Sequence, residues 1–115
     1  MDEFRTADSV LKAMETWARE RHVISPNTWV DASQALNALS GEETDRLFEF
    51  QQLVAKKKVE FIKEGKSVAM ARAMVEADDC YKDMLKQAAK CGRITEAIRI
   101  SKIQARLTND NFRNQ

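Results

Sequence analysis

Apolar and polar positions alternate along this chain with the period of a helix almost from end to end. Val10, Leu11, Met14, Trp17 and Ala18 recur at steps of three and four, which predicts a first amphipathic helix starting at a Thr6 or Asp8 cap and ending near His22. Ser25-Pro26 is the strongest punctuation, because serine supplies an N-cap and proline is preorganised for the first helical position. A second helix is therefore predicted from Pro26 to about Leu39, with Trp29, Val30, Ala32, Ala35, Leu36 and Leu39 on its apolar side. Ser40 and Glu43 have the S-x-x-E spacing of a capping box, so a third helix is predicted to start there.

On that third helix Leu47, Phe48, Phe50, Leu53, Val54, Val59, Phe61 and Ile62 cover a face too broad for one neighbour, which predicts packing on two sides. Gly65 suits the C′ position that ends it, and Ser67 suits the cap of the next helix. Helices three and four then make an antiparallel hairpin. The fourth carries an unbroken heptad seam of Met70, Met74, Ala77, Tyr81, Met84, Ala88 and Cys91. Its small and soft side chains admit a close partner helix, so the first six of these residues are the candidate interface between copies of the chain. Gly92 and Thr95 mark a further break before a short last helix bearing Ile94, Ala97, Ile98, Ile100, Ile103 and Leu107. The alternative is one helix from Ser67 to Leu107, since a single interior glycine costs only about 1 kcal/mol.

Composition agrees with the pattern. In 115 residues there are three glycines and one proline, so turns are few and helix formers dominate. The expected fold is all-α, one domain over residues 1–115, a small bundle of four to five helices built around the hairpin. No stretch approaches the roughly 18 apolar residues of a membrane span, and the start MDEFRTADS is acidic, so no membrane partner is expected and a cytoplasmic location is. Cys80 and Cys91 lie about three helical turns apart, too far for a disulfide, which suits a reducing compartment.

Charge is polarised. Residues 1–50 hold ten acidic and five basic side chains, whereas residues 51–115 hold eight acidic and fourteen basic ones. Such a layout suits head-to-tail contact between copies, a basic surface for a polyanion, or the packing of one half on the other.

Catalytic chemistry finds little to work with. His22 is the single histidine and suits a helix C-terminus, so a histidine metal cluster is excluded. The cysteines lack C-x-x-C spacing and read as buried seam residues. Glu76, Asp78 and Asp79 splay around a helix and read as a solvated face. Lys66-Ser67 after Gly65 lacks the earlier glycine and the strand of a phosphate loop. Trp17 and Trp29 read as core anchors. No enzyme activity, cofactor or metal is expected.

The basic residues offer more. Lys56, Lys57 and Lys58 form a compact cluster that Lys63 and Lys66 extend toward the turn, and Arg99, Lys102 and Arg106 share one face of the last helix. Residues 93–106 hold four basic groups against the one acid Glu96, a strip suited to a phosphate backbone.

The segment from Gly65 to Leu107 combines this basic turn, an alanine-rich helix with a central Tyr81, and a terminal amphipathic helix carrying Ile98, Lys102 and Arg106. In these features, over about a third of the chain, it resembles the T4-type recombination-mediator family of phages. That resemblance implies a small helical oligomer that binds single-stranded DNA and helps to load a recombinase, acting in the host cytoplasm. Two function classes follow. The first is a non-enzymatic phage-type accessory protein, homo-oligomeric, binding nucleic acid through Lys56, Lys57, Lys58, Lys66, Arg99, Lys102 and Arg106. The second is an inhibitor or assembly adaptor whose helix groove or acidic N-terminal half engages a host or virion protein.

Overall fold

Thr6 opens the first helix as expected: its hydroxyl accepts from the Ser9 backbone at 3.1 Å, while the Ser9 hydroxyl accepts from the Thr6 backbone at 3.2 Å. In the computed structural model, which describes residues 4–21 and 23–113 with side chains to residue 108, four helices follow in order. They are α1 (Ala7–Glu20), α2 (Pro26–Lys63), α3 (Val68–Glu76) and α4 (Asp79–Arg113), and the fold is all-α, with no strand among the described residues. His22 lies outside the described residues.

Local chemistry accounts for most of the ends. Arg21 closes α1 in the left-handed conformation, its backbone N–H reaching the Trp17 carbonyl. Ser25 caps α2 through the Thr28 backbone at 3.3 Å, with Pro26 in the first turn. Gly65, at φ 95°, ends α2 in a Schellman turn, the Gly65 and Lys66 N–H groups returning to the Ile62 and Phe61 carbonyls. Ser67 caps α3 by accepting from the Met70 backbone at 3.1 Å.

Three boundaries differ from expectation. No break falls at Ser40: α2 runs through it, the Ser40 hydroxyl donates to the Asn37 carbonyl, and Glu43 is buried instead of capping. No break falls at Gly92 either, and α4 continues past it to Arg113. The apolar rhythm explains both, because Cys80, Gln87, Ile94 and Ser101 are buried at seven-residue steps and half-buried Met84, Cys91, Ile98 and Ala105 fall between them. Tertiary burial of such a stripe outweighs the small cost of one glycine.

The third difference is a break where the seam was expected to be continuous. α3 ends at Glu76 and α4 starts at Asp79, with Ala77 as the C-cap between them. Asp78 makes the new start: its carboxylate accepts from the Cys80 backbone at 2.9 Å and from the Lys57 amine at 2.9 Å. Met70, Met74 and Ala77 therefore do not share a helix with Tyr81, Met84 and Ala88. Met70, Ala77 and Ala88 are exposed, Met74, Tyr81 and Met84 half-buried, while Ala71, Val75 and Cys80 fill the interior.

The chain divides into two compact units. Unit 1, residues 1–41 and 92–115, packs Val10 and Met14 of α1, Trp29, Ala32 and Leu36 of α2, and Ile94 and Ala97 of α4 into one cluster. Trp17 meets Phe4 edge-on at 6.2 Å and Trp29 at 5.1 Å, so both tryptophans do anchor a core. Unit 2, residues 42–91, is held differently. Its buried apolar residues are Ala71, Val75 and Cys80, and it also holds a polar cluster. The Glu43 carboxylate accepts from Gln87 Nε2 at 2.8 Å and pairs with Lys90 at 3.1 Å and Arg46 at 3.3 Å; the same Gln87 amide also donates to the Glu43 carbonyl.

Candidate nucleic-acid interface

Among the described residues, no three His, Cys, Asp or Glu side chains group as metal ligands, and no helix is long and apolar enough to cross a membrane. Asp78 of the acidic trio is a helix cap and an ion-pair partner. The bonds from the Cys80 backbone and then from Lys57 hold its carboxyl down at about 2, against an ordinary 3.8. Its contribution to stability is therefore present above pH 3.8 and lost as the pH falls toward about 2. Asp78→Ala is expected to lower the thermal midpoint by several degrees at pH 7 and to narrow that gap below pH 3, as followed by circular dichroism. Neither Cys80 nor Cys91 is in a disulfide, and burial, then the nearby Asp78, pushes the Cys80 thiol up and away from nucleophilic use.

The seven basic residues fall in both units. Lys56, Lys57, Lys58 and Lys66 belong to unit 2, where Lys56 and Lys66 are exposed, Lys58 is half-buried, and Lys57 is held against Asp78. Adjacent positions on α2 point about 100° apart, so the three lysines do not converge on one target.

Arg99, Lys102 and Arg106 belong to unit 1 and do share an exposed face of α4. Glu96, one turn back, grips Arg99 through both carboxylate oxygens and is itself held below the usual carboxylate range by that bond. Among the described residues no carboxylate pairs with Lys102 or Arg106. Exposed Ile100, Ile103 and Leu107 form an apolar stripe beside them. Lys102 also stands at a hollow of about 220 Å³ lined by Val30, Ser33, Gln34, Asn37 and Ala105, so α2 supplies two amides and a hydroxyl next to the cation. The sequence pattern found the α4 strip; it did not show the α2 polar groups, whose nearness depends on the packing of distant segments.

A second feature of unit 1 is a groove of about 500 Å³ floored by Leu11, Met14, Trp17, Trp29, Ala97 and Ile100, with Glu15, Arg21, Arg93 and Glu96 among its charged lining. No family model, curated protein or solved structure matches the chain.

Proposed function

We propose that this protein is a non-enzymatic, phage-type accessory protein that works as an assembly of copies in the cytoplasm and holds single-stranded nucleic acid on α4. The pairing of Glu43 with Gln87 and Lys90, and of Lys57 with Asp78, supports reading unit 2 as an antiparallel hairpin within a helical bundle. The observation that carries the binding reading is the exposed face of Lys102 and Arg106, beside a hollow lined by Gln34 and Asn37. Those two cations are four residues apart on one face, a rise of about 6 Å, so both can meet the backbone of one strand. The adjoining Ile100, Ile103 and Leu107 offer apolar surface to unstacked bases, which a duplex conceals.

Fluorescence anisotropy with a labelled single-stranded oligonucleotide tests the reading. Binding is expected at low salt and is expected to weaken steeply as salt is added, through counterion release. Absence of salt-sensitive binding overturns it.

The groove of unit 1 favours a second reading, a protein-binding adaptor that receives an amphipathic helix of a host or virion protein against Trp17 and Trp29. Such binding survives charge reversal at Lys102 and Arg106, whereas the nucleic-acid activity does not.

A further inference from the structure

Unit 2 exposes an apolar stripe that its own chain leaves uncovered. Phe48, Gln52, Ala55, Val59 and Ile62 follow one another at steps of four, three, four and three along α2, all exposed, with Phe48 at 61%, Val59 at 49% and Ile62 at 40%. Leu47, Phe50, Val54 and Phe61, half-buried, make a separate stripe roughly 140° around the helix. The breadth of this face, visible in the sequence, thus resolves into two heptad seams, of which only one is occupied. A fifty-residue unit whose buried apolar residues are Ala71, Val75 and Cys80 has little core, the condition in which small units gain stability by association.

Charge says what covers the second seam. Glu42 and Glu49 flank its N-terminal part, Lys56 and Lys63 its C-terminal part, and all four are exposed with no ion-pair partner among the described residues. We infer that a second copy of this chain docks on the stripe in antiparallel orientation. In that register Phe48 packs on Val59 of the second copy and Gln52 on its Ala55. On the flank Glu49 faces Lys56, and Glu42 faces Lys63, each pair occurring twice about a two-fold axis. Parallel pairing instead brings Lys58 toward Lys63 of the second copy, like against like. The inference deepens the assembly part of the proposed function and rests on it; the α4 face is independent of it.

The test is mass in solution by sedimentation velocity over a wide concentration range. The wild-type chain is expected to reach twice 13.2 kDa. Phe48→Glu and Val59→Glu are each expected to give a monomer with unchanged helical circular dichroism, because both positions are exposed. Glu49→Lys or Lys56→Glu alone is expected to weaken association about tenfold, and Glu49→Lys with Lys56→Glu in one chain is expected to restore it. A wild-type chain that is monomeric at every concentration, association unaffected by Phe48→Glu and Val59→Glu, or a double reversal weaker than either single one overturns the interface. A monomer that still holds the oligonucleotide overturns this interface alone and leaves the nucleic-acid reading in place.

Discussion

Replacing Glu43 by alanine is expected to destabilise the protein by about 2 to 3 kcal/mol. This glutamate is 6% exposed, and its carboxylate gathers the Gln87 amide, the Lys90 amine and the Arg46 guanidinium. Burial pushes the acid up, but the Gln87 and Lys90 hydrogen bonds and the charges of Lys90 and Arg46 outweigh it, so the group sits below its ordinary 4.5. Alanine removes one of the two acceptors of the buried Gln87 amide, leaving only the backbone carbonyl, and takes a counter-charge from half-buried Lys90 of unit 2, where apolar burial supplies little compensation. Glu43→Gln keeps the hydrogen bond from Gln87 but not the charge, so it is expected to recover about half of the loss. Because the folded-state value is depressed, the wild-type advantage is present above pH 4.5 and shrinks as the pH falls below it. Urea unfolding at pH 7 and pH 3 measures both effects: a lower midpoint for the alanine variant at pH 7, and a smaller difference at pH 3. Equal midpoints at pH 7 would show that the cluster is not what holds unit 2.

Reversing both Lys102 and Arg106 to glutamate is expected to weaken oligonucleotide binding by about a hundredfold or more at low salt, since two phosphate contacts become two repulsions. Thermal stability is expected to stay within a degree or two of wild type, as both side chains are exposed and no carboxylate among the described residues pairs with them. Arg99→Glu is expected to cost less, because Glu96 already neutralises that guanidinium. This ordering separates a phosphate-reading face from a general effect of net charge, under which all three reversals have similar weight per residue. A hollow lined by Gln34 and Asn37 next to Lys102 further suggests that Gln34→Ala weakens binding without altering its salt dependence.

The features that were legible in the sequence are those with local causes. Thr6, Ser25-Pro26, Gly65 and Ser67 each act within four residues of themselves, and each does in the structure what its residue type requires. Ser40 and Glu43 misled for the converse reason. Their spacing imitates a cap, while the partners that decide Glu43 lie 44 residues on and further. Asp78 was hidden in an acidic run; its bond from the Cys80 backbone and the approach of Lys57, 21 residues earlier in the chain, distinguish it from its exposed neighbour Asp79. The Met70 seam, read from spacing alone, runs across that break, which no residue within it announces. In the candidate site, the α4 strip follows from helical spacing alone. The neutralisation of Arg99 by Glu96 follows from the same spacing, whereas the Gln34 and Asn37 hollow depends on how α2 meets α4.

Salt dependence tests the central claim most directly, because it counts phosphate contacts and assigns them to residues. For the wild-type chain the logarithm of the binding constant is expected to fall linearly with the logarithm of salt concentration. For Lys102→Ala with Arg106→Ala the slope is expected to be shallower by about 1.4, two contacts at about 0.7 each on a single strand. Identical slopes for the two proteins would contradict the placement of nucleic acid on α4.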